Sequence, residues 1–210
     1  MSPWRKRFFE TTRGRLVALL RRRELTVDEM ASALGVTDNA IRAQLATLER
    51  DGLVEQRGSR RGAGVGKPSF AYGLTAEFEP TLSRAYTPML GRLLRVLHRR
   101  LPGPELEGVL AEAGRDWASD LPAATGTEAE RAAQAVALLE QLGGSAELEP
   151  AGDRWSIRGF GCPLGVAVQG EPRVCRAIEG LLSAVTGLEV KEHCDRTAGS
   201  PSCRFTLAAR

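Results

Sequence analysis

Four cysteines stand in the last third of this 210-residue chain: Cys162, Cys175, Cys194 and Cys203, separated by 12, 18 and 8 residues. Thiolates are the ligands that soft metals and iron–sulfur clusters require. None of the gaps is the short C-x₂₋₄-C knuckle of structural zinc sites. In a reducing compartment, clustered cysteines lean toward metal binding or redox chemistry rather than disulfides. Four buried or surface thiols with no such role are the other reading of the spacing.

What the thiols can do depends on the elements that carry them. Residues 146–150 and 154–160 read as two strands around a turn at Gly152-Asp153, and Cys162 follows in a loop before Pro163. Residues 171–186 read as a helix with Pro172 in its first turn, an apolar stripe of Val174, Ile178, Leu181 and Val185, and Gly187 as its stop. Cys175 then lies near the positive end of a helix dipole, which favours the thiolate. Residues 188–194 and 203–207 read as two further strands. Cys194 ends one and Cys203 begins the next, so both belong at the base of one hairpin.

A second constellation lies at the other end. Residues 1–75 carry 14 Lys/Arg against 8 Asp/Glu, whereas the remainder is net acidic. A basic segment suits a polyanion. A helix over 12–23 is followed by Thr26 and Glu29, the spacing of a capping box. The helix it opens is expected to bury Met30, Ala33 and Leu34 and to stop at Gly35. Thr37 caps a further helix reaching Asp51, with Ile41, Leu45 and Leu48 as its buried stripe. Its other face offers Asn39, Arg42, Ala43, Ala46 and Arg50. Small residues there allow close approach to DNA, and Asn and Arg reach base edges or phosphates. Strands at 53–57 and 69–74 flank a Gly-rich tip with Arg60, Arg61 and Lys67, suited to a phosphate backbone. This order predicts a winged helix-turn-helix bound to a double-stranded DNA operator, with Thr37, Asn39, Arg42, Ala43, Arg50, Arg60, Arg61 and Lys67 at the interface. Gly66-Lys67 is followed by Pro68, so no GxxxxGK[ST] nucleotide loop is present.

Between these ends, residues 76–101 carry an apolar stripe of Leu82, Tyr86, Met89, Leu90, Leu93, Leu94 and Leu97, with Pro88 expected to kink or divide the helix. The stripe reads as a homodimer interface or as internal packing. Pro102-Gly103-Pro104 breaks it, and helices over 105–119 and 127–142 follow. The fold class is α+β: an N-terminal winged helix-turn-helix (1–75), a connector or dimerisation helix (76–103), and a C-terminal unit (104–210) in which a small antiparallel sheet and a helix carry the four cysteines. No apolar run approaches the roughly 18 residues of a membrane span, and the basic N-terminus lacks a signal-peptide core, so a cytoplasmic protein is expected. Without a nucleotide fingerprint or an acid–base constellation, it is not expected to be an enzyme.

The stretches TVDEMASALGVTDNAIRAQLATLERDGLV and GKPSFAYGLTAEFEPTLSRAYTPML, and above all CPLGVAVQGEPRVCRAIEGLLSAVTGLEVKEHC with SCRF after it, resemble the iron–sulfur-sensing repressors of the SufR type, within the wider ArsR/DeoR-like winged-helix regulators. The resemblance runs over nearly the whole chain. It implies a homodimer that binds an inverted-repeat operator, represses cluster-assembly genes and holds an iron–sulfur cluster on Cys162, Cys175, Cys194 and Cys203, [4Fe–4S] with [2Fe–2S] the alternative. His193 or Asp195 is a candidate to replace one cysteine. A structural zinc with another effector and a cluster-bearing redox protein are the competing readings.

Overall fold

The capping box expected at Thr26 forms. The Thr26 hydroxyl accepts from the Glu29 amide, and the Glu29 carboxylate accepts from the Thr26 amide at 2.7 Å. Two groups that a helix start leaves without partners are thereby satisfied, and the backbone bond holds the Glu29 carboxyl below its ordinary range. The structure, a computed structural model, describes residues 3–60, 68–194 and 203–209. The chain divides into two units, residues 1–84 and 85–210. Residues 76–84 thus go with the first unit, and the rest of the expected connector goes with the second.

The first unit runs α1 (Pro3–Glu10), α2 (Thr12–Leu20), β1 (Leu25–Thr26), α3 (Val27–Leu34), α4 (Asp38–Arg50), β2 (Val54–Arg60), β3 (Ser69–Leu74) and α5 (Phe78–Thr81). The three strands form an antiparallel sheet in the order β1-β3-β2. Gly35 ends α3 at φ 67°, a left-handed conformation that glycine adopts without strain. Leu16, Met30, Ile41, Leu45 and Leu48 are fully buried and join α2, α3 and α4 to β2 and β3. Two details differ from expectation. Helix α3 buries Val27, Met30 and Ala31, while Ala33 is exposed and Leu34 only half-buried, because Val27 sets the phase of the stripe. Helix α1 and the two-residue β1 went unread: α1 buries no side chain, and β1 exists only through its pairing with β3.

The second unit runs α6 (Tyr86–Arg100), α7 (Gly103–Ala118), α8 (Glu128–Gln141), β4 (Ser145–Ala151), β5 (Arg154–Gly161), α9 (Gly165–Gly170), a 3-10 turn (Pro172–Val174), α10 (Cys175–Thr186), β6 (Glu189–Glu192) and β7 (Cys203–Ala208). Its sheet is antiparallel in the order β4-β5-β7-β6. Ile178, Leu181, Leu182 and Val185 of α10 pack with Ala132, Ala135 and Leu139 of α8 over Ile157, Val190, Phe205 and Leu207 of the sheet. Helix α7 lies against α10 at glycine contacts: a Cβ on Gly114 would overlap the Ala177 carbonyl, and one on Gly180 the Ala111 carbonyl. The start of α10, where Cys175 stands, is therefore held by a tight helix pair.

Pro88 neither kinks nor divides α6. It is the third residue of that helix, where its missing N–H would have had no intrahelical partner anyway. The expected helix over 171–186 is instead broken near its start. Glu171 is extended, with φ −148° and ψ 93°, as the residue before a proline prefers. The chain ahead of it folds into α9, a helix the sequence pattern did not mark. Of the apolar stripe on α6, Leu94 is buried, with Leu106, Leu110, Ala167 and Val174 as neighbours. Tyr86, Met89, Leu90, Leu93 and Val96 remain exposed.

Candidate thiol site and nucleic-acid interface

Four separate elements deliver the cysteines to one place. Cys162 follows β5, Cys175 begins α10, Cys194 lies just past β6 and Cys203 begins β7. None is in a disulfide. The Cys194 and Cys203 sulfurs are 3.7 Å apart, as the shared hairpin base requires. Hydrogen bonds from Cys175 first and then Cys203 hold the Cys194 thiol far below its ordinary range. Cys203 is pushed far up, first by Cys162 and then by Cys194. The sulfurs thus form a connected series from Cys162 through Cys203 and Cys194 to Cys175. A single tetrahedral metal with bonds of about 2.3 Å to sulfur spans a sulfur–sulfur edge of about 3.8 Å, close to the Cys194–Cys203 separation. Four convergent thiols fit a thiolate-bound metal or an iron–sulfur group.

Two residues absent from the expected set belong to this site. A carboxylate oxygen of Glu192 lies within 4.8 Å of both the Cys175 and Cys194 sulfurs, and Glu192 Oε1 accepts from the Cys194 amide at 2.8 Å. Strand alternation was the available signal: 190, 192 and 194 share a face, and Val190 is buried. Gly159 pairs with Cys203 across β5 and β7, and a Cβ there would lie 2.8 Å from the Cys203 Cβ. Of the proposed substitute ligands, His193 bonds through Nε2 with the Thr206 hydroxyl at 3.0 Å, and Asp195 lies outside the described residues.

The segment between the first two cysteines is itself anchored. Glu171 is 2% exposed. It accepts from Arg173 Nε at 2.7 Å and Nη2 at 2.9 Å, and it pairs with His98 Nδ1 on α6. Arg173 first and His98 second hold its carboxyl down to about 2. His98, in the last turn of α6, thus ties that helix to the turn that leads into Cys175.

On the first unit, α4 presents Asn39, Arg42, Ala43, Ala46 and Arg50 to solvent, opposite buried Ile41, Leu45 and Leu48. Thr37 is exposed, and its hydroxyl accepts from the Ala40 amide as the N-cap. Arg42 lines a groove with Asp28, Pro68, Phe70 and Tyr72. Phe70, 56% exposed on β3, was not in the expected set. Arg50 pairs with Asp51 at 3.1 Å, and Arg60, the last residue of β2, with Glu24 at 3.3 Å. Exposed pairs of this kind contribute at most about 1 kcal/mol, so a phosphate can replace the carboxylate. Arg61 and Lys67 lie outside the described residues.

Residues 10–56 match the family described as bacterial regulatory protein, arsR family. No curated protein sequence matches the chain. Among solved structures, a mutant of Lactococcus lactis ZitR in apo form is 19% identical over 50% of this chain and 78% of its own, with a TM-score of 0.29. M. tuberculosis Rv0081 is 27% identical over 49% of this chain and 100% of its own, with a TM-score of 0.28. A MepR mutant from a multidrug-resistant S. aureus clinical isolate is 22% identical over 57% of this chain and 88% of its own, with a TM-score of 0.29. At such TM-scores these likenesses carry no weight, and the ArsR match over 10–56 stands on its own. Among the described residues, no helix is long and apolar enough to cross a membrane.

Proposed function

We propose that this chain, with an ArsR-type helix-turn-helix at its N-terminus, is a transcription regulator whose C-terminal thiol site holds an iron–sulfur cluster and controls binding to an operator. The convergence of Cys162, Cys175, Cys194 and Cys203 from four elements carries the reading. Helix α4 enters the major groove, where Asn39 and Arg42 read bases and Ala43 permits close approach. Arg50, Arg60, Arg61 and Lys67 hold the phosphate backbone. Thr37 orders the start of the recognition helix.

The exposed apolar residues of α6 support a homodimer, and a two-fold dimer calls for an inverted repeat with half-site centres about one helical turn apart. A bound cluster cross-links the end of β5, the start of α10 and the β6–β7 base. Its state then biases α6 through the anchored segment over 163–174. Such control requires the DNA-competent arrangement to bind the cluster with a different affinity from the other. In keeping with the SufR resemblance, the reading extends to repression of cluster-assembly genes from the cytoplasm, and to [4Fe–4S] with [2Fe–2S] as the alternative. The 3.7 Å sulfur separation favours one second reading, a structural zinc.

Anaerobic purification with iron, sulfide and zinc counts per chain and a visible spectrum separates these readings. Iron with matching sulfide and thiolate-to-iron absorption is expected. Colourless protein with one zinc and no sulfide would establish the second reading.

A further inference from the structure

Val190 and Glu192 occupy alternate positions of β6, and Cys194 follows two residues past its end, where the His193 amide still bonds to the Arg204 carbonyl at 2.8 Å. Successive side chains of a strand point to opposite faces, and Val190 is buried, so Glu192 and Cys194 share the inward face. The strand end is fixed to the cysteine-bearing helix. The Glu192 amide donates to Glu179 Oε2 of α10 at 2.9 Å, and Glu179 is paired with Arg176 at 2.7 Å, one residue past Cys175. This arrangement brings a Glu192 carboxylate oxygen, the Cys175 sulfur and the Cys194 sulfur within 4.8 Å of one another. The three donors converge from a helix start and a strand end.

We propose that Glu192 is a metal ligand, supplying an oxygen donor to the ion held between Cys175 and Cys194. The inference rests on the reading of the thiols as a metal site, and it adds to that site a position of different chemistry. A carboxylate is a harder ligand than a thiolate, so the ion it holds exchanges more readily than one bound by sulfur alone. It also leaves the four thiols and Glu192 as five donors, one more than a four-position group needs. The bond from the Cys194 amide to Glu192 Oε1 aligns the carboxylate beside the sulfur it joins.

The test uses the full chain, reconstituted anaerobically with ferrous iron and sulfide, as wild type, Glu192→Gln and Glu192→Cys. Glutamine keeps an oxygen that accepts from the Cys194 amide but loses the anionic donor. Cysteine supplies a thiolate ligand. The expected results are several-fold faster iron release to excess chelator from Glu192→Gln, and slower release with added thiolate-to-iron absorption from Glu192→Cys. A Glu192→Gln protein that equals wild type in iron, sulfide, spectrum and release rate would reduce Glu192 to orienting the Cys194 backbone and overturn the proposal. If Glu192→Gln does not fold, Glu192→Cys decides, and an absorption spectrum and release rate unchanged from wild type overturn the proposal. Wild type that takes up neither iron nor zinc would instead overturn the metal-site reading itself.

Discussion

Replacing Gly159 with alanine should empty the thiol site before it unfolds the domain. The added Cβ would stand 2.8 Å from the Cys203 Cβ, 3.4 Å from the Cys203 carbonyl oxygen and 3.5 Å from its sulfur. Carbon atoms in contact settle at about 3.5–4.0 Å, so β5 and β7 must separate locally by roughly 1 Å. The atom met is a Cβ fixed to the backbone, and no side-chain rotation relieves the clash. Overpacking of this kind costs about 1–3 kcal/mol, within the stability of an ordinary domain. A metal ligand, by contrast, tolerates only about 0.2 Å of displacement. Gly170→Ala is the control, since a Cβ there meets nothing within 4 Å. The assay is iron and sulfide per chain after anaerobic reconstitution, beside thermal unfolding of the same samples. The expected result is a Gly159→Ala protein that is folded, melts a few degrees lower and has lost most of its iron, with Gly170→Ala unaffected. Full iron content at an unchanged melting temperature in Gly159→Ala would show that the β5–β7 contact at Cys203 does not limit the site.

Arg42→Ala should weaken specific DNA binding by roughly 1–3 kcal/mol, about 5- to 150-fold by fluorescence anisotropy, whereas Arg60→Ala should weaken all sequences alike and lower the salt slope by about one unit. Glu171 is held down to about 2 from an ordinary 4.5, so its pairing stabilises the fold above about pH 4.5 and is lost as pH falls toward 2. The melting-temperature gap between metal-free wild type and Glu171→Gln should accordingly be widest near neutrality and close below pH 4.5; a gap independent of pH would contradict this. Leu93→Asp, on the exposed face of α6, should convert a dimer to a monomer in sedimentation equilibrium without lowering the melting temperature of the first unit.

The helix-turn-helix was legible because its signals are local. Thr26 with Glu29, Gly35, Thr37 and the Ile41-Leu45-Leu48 stripe each act within a turn or two of chain, and each formed where expected. The four strands of the second sheet were legible from alternation and from the turn at Gly152. What escaped depends on pairings distant in sequence. Strand β1 exists only against β3, and Gly159 matters only because it faces Cys203. His98 meets Glu171 across 73 positions. Helix α9, six residues between Cys162 and Glu171, is too short to show an apolar period. The stripe on α6 was visible as a stripe, but apolar periodicity does not say whether the covering surface is the same chain or another copy.

The central claim, that the thiol site governs DNA binding, is tested most directly by one pair of affinities. A DNA fragment selected from a random pool by the anaerobically purified protein is titrated with one preparation in two states, as loaded and after the metal is removed by chelator, at fixed salt. The expected Kd values differ by about 5- to 150-fold, the usual range of coupling between sites, and are equal for the two states of a Cys175→Ser variant. Identical affinities for the loaded and stripped wild-type protein would contradict it.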